Sequence, residues 1–373
     1  INVGDVFSKC TKSRHIEECY DAHKDVFNNI YVPFEKVSKI EALLKNNMWF
    51  DYFLKTFDVD SGWIDFEKEI FTVITILDEN IDEEQNVVNL STQKLLPAFI
   101  LSSFKFFIDI DDKAEIYPGD NFEIKKDYLK EYPHNSDIYR ADKKKIFNDL
   151  YNELLNFSRA LSIYLSSFVE SAYEGLHKDK CTREQRINLL NLADNAVSFN
   201  YTKTFERFYF NKSAYHIHGM ASDANIVLGV NANKSDDCGT NNTSLIKFKK
   251  YYQREVFGTV IEYVKWYREI IKPKREYRVI TIGHSLDETD KDIISDMFFN
   301  AKEIYVTYYD DDCKDNYITN IIKIFGNDGY NKFRKEQGLE FVALSDIEQL
   351  NDRIKPPQYE FYATEDSENI EII

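Results

Sequence analysis

The stretch YRVITIGHS, residues 277–285, decides the fold class. Its apolar residues fill both faces of a strand instead of alternate positions, which is typical of a parallel sheet covered by helices on both sides. A second strand of the same kind, EIYVTYYD at 303–310, follows after a helical segment. The sequence therefore predicts an α/β fold with a Rossmann-like parallel sheet.

Four further short runs of β-branched and aromatic residues accompany these two strands, again separated by helical or polar segments. They are AVSFN (196–200), AYHIHG (214–219), NIVLGV (225–230) and LEFVALS (339–345). Since all six runs lie beyond residue 195, the Rossmann-like core is predicted for this part of the chain.

Helical periodicity dominates the first half of the sequence. Residues 33–75 are predicted to be helical, and so are residues 92–193 except for the polar stretch 109–138. The clearest helix begins at Lys143, with apolar residues recurring every three or four positions up to Phe168. Because this helix is too long for a simple crossover, we expect an antiparallel bundle inserted into the α/β fold. Thr182 and Gln185 fit a capping box for a later helix.

Composition and charge exclude several classes of partner. The 373 residues carry a formal net charge of −17, which would repel a phosphate backbone and argues against nucleic acid. The basic stretch KFKKYYQRE (247–255) is therefore interpreted as a solvated helix face. The longest apolar run, residues 95–108, is too short to cross a membrane and is expected to be a buried helix.

The five cysteines are scattered, odd in number and without a CxxC pair. This usage predicts a reducing, cytoplasmic location and indicates neither a disulfide framework nor a zinc site.

Polar residues follow three of the predicted strands. Asn200 comes after the first strand of the core, His218-Gly219 after the next, and Gly283-His284-Ser285 after RVITI. Ligands of open α/β sheets bind at the carboxyl ends of the strands, so the three motifs are expected to share one crevice.

Two other chemistries fit these residues less well. VITIGHSLDETD lacks the second glycine of a nucleophile elbow, and no histidine follows His284, which argues against a serine hydrolase. His216 and His218 would share one face of a strand, but no third metal ligand is spaced nearby, so no metal is predicted. His216 is instead expected to be a core histidine bonded to backbone.

Five motifs follow one another along the chain. They are WIDFEKEI (63–70), SFNYTKTFE (198–206), HIHG (216–219), NIVLGV (225–230) and GHSLDETD (283–290). In this order they resemble the AbiH family of bacteriophage abortive-infection proteins, which is similar in turn to the sirtuin-like NAD-binding superfamily. The resemblance covers roughly residues 40–75 and 195–310.

The resemblance implies a phage-defence protein that binds NAD as a substrate and hydrolyses it to nicotinamide and ADP-ribose. Asn200 would hold ribose hydroxyls or water, and neutral His218 would accept a proton. Cofactor-binding roles would fall to a second group of residues. These are Gly219, Gly283, Ser285 and Asp290.

The resemblance also divides the chain and suggests its partners. A phage-derived trigger and homo-oligomerisation are the candidate interactions besides the nucleotide, and no membrane contact is expected. The predicted units are an N-terminal part of the sirtuin-like domain (1–75), a helical insertion (76–194), the Rossmann-like core (195–350) and an acidic tail (351–373).

Two alternatives stay open. The glycine-rich loop with which the family begins, Gly-Asn-Gly-Phe-Asp, is not seen, so either a segment is expected to precede Ile1 or the chain is a degenerate member without cofactor binding. The second functional hypothesis is a non-catalytic nucleotide sensor that acts through a partner or assembly.

Three carboxylates near these motifs have structural interpretations. Glu206 is a rival catalytic carboxylate, but it is expected to cap a helix or form a pair at the surface. Asp287 and Asp290 are expected to stabilise the N-terminus of the next helix.

Overall fold

The chain forms a mixed α/β fold rich in helix, seen in a computed structural model. The predicted capping box at Thr182 and Gln185, Trp63 and residues 355–373 of the predicted acidic tail lie outside the described residues, whereas residues 351–354 of that tail end a helix. The structure describes residues 2, 24–57, 64–90, 95–110, 120–132, 135–178, 193–208, 213–230, 243–273 and 277–354.

The helices follow the apolar periodicity of the sequence. In α6, for example, buried side chains recur at Ile146, Leu150, Leu154 and Phe157, and Asp142 caps the first turn by accepting from the Lys145 amide. The described α-helices are α1 (Lys24–Asn28), α2 (Phe34–Leu44), α3 (Met48–Thr56), α4 (Phe66–Asn80), α5 (Leu95–Ser103), α6 (Lys143–Tyr164), α7 (Glu170–Lys178), α8 (Thr204–Phe208), α9 (Thr243–Ile246), α10 (Lys250–Phe257), α11 (Ile261–Trp266), α12 (Lys291–Phe299), α13 (Asp311–Glu336) and α14 (Ile347–Ile354).

The strands are short. The described ones are β1 (Val87–Asn89), β2 (Phe107–Asp109), β3 (Asn121–Ile124), β4 (Leu129–Tyr132), β5 (Asn135–Ala141), β6 (Ala196–Ser198), β7 (Ala214–His216), β8 (Arg278–Thr281), β9 (Glu303–Tyr308) and β10 (Glu340–Ala343).

The predicted helical insertion also contains strands, which the sequence reading missed. Strands β1, β3 and β2 form an antiparallel sheet in that order, and β4 pairs with β5. In β3, Phe122 and Ile124 are buried while Glu123 is exposed, an alternation with period two inside the stretch interpreted only as polar. Residues 95–108 were predicted to form one helix. The helix ends at Ser103, and Phe107 begins strand β2.

The largest hydrophobic core joins the predicted insertion to the predicted Rossmann-like part. Trp49 and Phe147 pack in the same cluster as Leu228 and Phe248. Trp49 is fully buried, and its indole Nε1 donates to the carbonyl of Leu150 at 2.9 Å, so α3 is held against α6.

The parallel strands form two small sheets among the described residues, where the sequence predicted one. Strands β8, β9 and β10 are parallel in the order β10-β9-β8, and β6 pairs in parallel with β7. Ile304 and Val306 are buried on one face of β9, and Tyr305 packs against a second hydrophobic cluster on the other face, which fits the covered sheet that the sequence indicates.

The run NIVLGV does not form a strand, because side chains bind the carbonyls that a neighbouring strand would need. Ser158 donates to the carbonyl of Ile226, Tyr201 to that of Val227, and Gln253 to that of Leu228, all at 3.0–3.1 Å. The carbonyls of this segment are therefore satisfied by side chains of α6, of α10 and of the loop after β6, and not by a neighbouring strand.

No helix in the part of the chain that the structure describes is long and apolar enough to cross a membrane.

Candidate functional site

Three loops that follow β6, β7 and β8 come together, as the sequence predicts. We call residues 199–203, 217–220 and 282–290 the three-loop cluster. The ring of Phe199, from the first loop, lies 4.0 Å from the ring of His284 and 5.5 Å from the ring of His218. Each loop thus contributes an aromatic or imidazole ring to one place.

A buried carboxylate, Asp290, organises the cluster. Its Oδ1 atom lies 3.0 Å from His218 Nε2, 3.1 Å from Lys250 Nζ and 3.2 Å from Arg254. Burial opposes ionisation, but the hydrogen bonds from His218 and His284 and the charge of Lys250 hold the pKa of Asp290 well below its usual range. Asp290 is therefore a carboxylate that only accepts hydrogen bonds.

The sequence analysis did not predict that two cations lie beside Asp290. Lys250 and Arg254 lie one turn apart on α10 and are only 1% and 2% exposed, so the interpretation of residues 247–255 as a solvated helix face is wrong for both. Lys250 also pairs with Glu67 at 2.7 Å, and Arg254 pairs with Asp292. Local pattern gives no signal for their burial, because a basic helix segment in an acidic chain is ordinarily solvated.

Glu67 brings the N-terminal motif WIDFEKEI to the cluster. It lies in the first turn of α4, where Asp65 caps the helix. Burial raises the pKa of Glu67, although the charge of Lys250 opposes this. Among the charged partners of Lys250, Glu67 is the more exposed carboxylate, with 28% of its side chain accessible.

His218 is a neutral imidazole with a fixed tautomer. Burial, aided by the charge of Lys250, lowers the pKa of His218 to about 4 despite the contact with Asp290. Because Asp290 only accepts, Nε2 of His218 carries the ring proton and donates it. Nδ1 is left as an acceptor, and it is buried without a partner among the described residues. This atom is free to take a proton from a ligand or water.

His284 is held by its own loop. Its Nδ1 accepts from the Leu286 amide at 2.9 Å, so its Nε2 carries the proton and points at Asp290 Oδ2, 3.5 Å away. Asp287 caps the following turn by accepting from the Thr289 amide, as expected. Asp290 precedes α12 without capping it, since its oxygens are used by the cations and imidazoles instead.

Asn200 is fixed through its backbone and leaves its side chain exposed. Its amide donates to Ser198 Oγ at 3.2 Å, and its carbonyl accepts from His216 Nδ1 at 3.0 Å. His216 Nε2 lies 2.9 Å from Glu206 Oε1, so Glu206 pairs with a histidine inside the fold. The prediction that His216 is a core histidine bonded to backbone is confirmed.

The strand before HIHG ends earlier than the sequence predicts. Strand β7 stops at His216, and Ile217 and His218 lie in a turn, so the two histidines do not continue one strand face. His218 is 3% exposed and His216 is 8% exposed, which makes His218 the more buried one, contrary to expectation. Different partners therefore surround the two rings.

The predicted cofactor-binding glycines differ in surroundings. Gly219 has φ +78°, and the space that a side chain would need is filled by the carbonyl of Asn225. The group that approaches Gly219 closely is therefore the backbone of Asn225. Gly283 has φ +65° and open space beside it, and Ser285 is exposed, with its carbonyl accepting from Asn320. Gly283 and Ser285 form the open edge of the cluster.

Gly219→Ala is expected to destabilise the protein more than a matched glycine change. Gly338 has φ +57° and no atom near its missing Cβ, so Gly338→Ala should cost about 1–2 kcal/mol for the left-handed conformation alone. At Gly219 a collision with backbone adds about 1–3 kcal/mol. Urea unfolding of both variants measures the difference, and equal losses would contradict the close approach to Asn225.

No group of three or more His, Cys, Asp or Glu within the described ranges is arranged to hold a metal ion.

Comparison with known proteins identifies a family. The family model described as "Bacteriophage abortive infection AbiH" matches residues 11–309. The search of curated proteins and the search of solved structures found no match. The matched range includes all three loops of the cluster as well as Glu67, Lys250 and Arg254.

Proposed function

The chain belongs to the AbiH family of bacteriophage abortive-infection proteins, and from that membership we propose that it defends cells by hydrolysing NAD to nicotinamide and ADP-ribose at the three-loop cluster. The family suggests the role in abortive infection. The sirtuin-like, Rossmann-like relationship and the reaction with NAD are parts of the proposal. Loss of NAD would stop an infected cell.

The observation that carries the proposal is the unpartnered Nδ1 of His218. A buried acceptor without a hydrogen bond is costly, and a catalytic role or a bound water or ligand is an explanation for leaving it so. The ring is neutral and its other nitrogen is fixed by Asp290, which is the arrangement that orients a general base.

The reaction follows from these groups. Nicotinamide leaves as a neutral pyridine and takes the electron pair of its bond to the ribose, so no strong acid is needed. The sugar passes through an oxocarbenium-like state, as in other glycosidic cleavages. Water adds to the ribose carbon and gives a proton to His218 Nδ1. Asn200 would bind ribose hydroxyls, and Gly283 with Ser285 would line the ribose-phosphate part.

A second candidate is a nucleotide sensor without turnover. The burial of His218 favours it, because water has to reach Nδ1 for hydrolysis and the ring is only 3% exposed. As a sensor, the cluster would bind NAD or ADP-ribose without cleaving it. A partner, a phage-derived trigger or self-assembly would then stop the infected cell.

The two candidates are separated by measuring binding and turnover on one sample. Calorimetry with NAD should detect binding, and chromatography should detect nicotinamide and ADP-ribose in equal amounts. Binding without products would support the sensor. A chain that neither binds nor cleaves NAD or ADP-ribose would remove both candidates.

A further inference from the structure

We propose that His216 and Glu206 form a proton-dependent clamp that positions Asn200, and that the clamp opens when its shared proton is lost. The inference deepens the proposed function and rests on it for the task of Asn200. His216 and Glu206 are positioning residues here, since both act through the backbone of Asn200.

The clamp joins three elements. The His216 ring, at the end of β7, donates from Nδ1 to the carbonyl of Asn200 after β6 and meets Glu206 of α8 through Nε2. Glu206 Oε1 also accepts from the amide of Ala214, the first residue of β7, at 3.0 Å. The ring is thus held between the loop that carries Asn200 and a carboxylate fixed to its own strand.

The geometry needs a proton on both ring nitrogens. A carbonyl only accepts, so Nδ1 carries a proton, and Nε2 faces a carboxylate that also accepts. Burial opposes the charged ring, but the hydrogen bonds with Glu206 and Asn200 outweigh it and raise the pKa of His216. Burial likewise opposes ionisation of Glu206, while its bonds to His216 and Ala214 lower its pKa. The two groups form an ion pair.

Few other charges face the ring. The charge of Lys203, in the Asn200 loop, opposes protonation of His216. Arg207 of α8 is engaged by Glu170, to which it donates through both terminal nitrogens. Glu206 Oε2 is buried and has no partner within the described residues, so His216 is the cation that balances this carboxylate.

His216 and His218 are therefore in opposite protonation states although one residue separates them. His218 stays neutral until the pH falls to about 4, so it controls the acid side of activity. Above its raised pKa, His216 loses the Nε2 proton and then presents a lone pair to Glu206. The clamp holds Asn200 in place below the pKa of His216 and is lost as the pH rises through that pKa. Turnover is therefore expected to fall on the alkaline side.

Glu206→Gln tests the clamp. The amide can donate to Nε2 of a neutral His216 while Nδ1 keeps its bond to Asn200, so positioning no longer needs the extra proton. The alkaline fall in nicotinamide release should disappear in Glu206→Gln. The matched control is Glu262→Gln, an exposed glutamate in α11, which should keep the wild-type profile. An unchanged alkaline fall in Glu206→Gln would overturn the inference.

A readout without activity separates this inference from the proposed function. Proton NMR of wild-type protein should show His216 titrating above pH 6.5, and the side-chain amide signals of Asn200 should move with the same midpoint. In Glu206→Gln the His216 midpoint should fall, because the carboxylate that stabilises the charged ring is gone. If the Asn200 signals of wild-type protein did not change with the His216 titration, the clamp would be overturned even if Glu206→Gln did not fold. A clamp seen by NMR in a protein that never cleaves NAD would leave the clamp standing and reject hydrolysis.

Discussion

His218→Ala should lower the rate of nicotinamide release by about 10²-fold or more while the protein stays folded. The substitution removes the base, Nδ1, but leaves Asp290 paired with Lys250 and Arg254, so no buried charge loses its last partner. Steady-state kinetics and circular dichroism of the purified variant check both parts. NAD binding should persist, because the exposed edge at Gly283 and Ser285 is unchanged.

His216→Ala is the matched comparison, since it removes an imidazole two residues away. It should destabilise the protein by about 1–3 kcal/mol through the lost hydrogen bonds to Asn200 and Glu206, and it should leave residual turnover. In cells the His218 variant should be soluble and non-protective, whereas the His216 variant should accumulate poorly. If His216→Ala were inactive yet fully stable, the assignment of the two roles would be reversed.

Asp290→Ala should produce the largest loss of stability, about 3–5 kcal/mol. It removes a carboxylate that contacts two cations, each about 1–2% exposed, and leaves Lys250 dependent on Glu67 and Arg254 dependent on Asp292. Turnover should fall too, because His218 loses the acceptor that fixes its tautomer. Chemical denaturation measures the first effect.

A double substitution shows whether the loss comes from uncompensated charge. Adding Lys250→Met to Asp290→Ala removes one of the stranded cations and should recover part of the stability, as a double-mutant cycle would report. Asp328→Asn, at an exposed position of α13, is the surface control and should change stability by less than about 0.5 kcal/mol. A loss of similar size in Asp290→Ala and Asp328→Asn would contradict a buried ion cluster.

The fold was predictable where one pattern dominates locally. The helical period of the apolar residues predicted α6, and apolar residues at consecutive positions predicted the parallel strands β8 and β9. Inside the predicted helical insertion, β1, β2 and β3 were missed because they have only three or four residues each. NIVLGV looks like a strand but is not one, since distant side chains such as Ser158 bind its carbonyls.

The candidate site was predictable from strand ends, but its charge network was not. The loops after β6, β7 and β8 meet through the rings of Phe199, His218 and His284, as strand ends in the sequence suggest, although β8 lies in a different sheet from β6 and β7. Lys250 and Arg254 gave no such signal, because a basic helix segment in an acidic protein is ordinarily solvated. Their burial depends on Asp290, 36 or more residues away in sequence, and on tertiary packing that local pattern does not contain.

The most direct test is release of nicotinamide from NAD by the whole native chain, including any residues that precede Ile1, measured beside His218→Ala at pH 7. The account predicts nicotinamide and ADP-ribose in equal amounts from the native chain, and a rate about 10²-fold or more lower from the variant. Equal rates in the two proteins, or NAD bound and recovered intact from both, would contradict it.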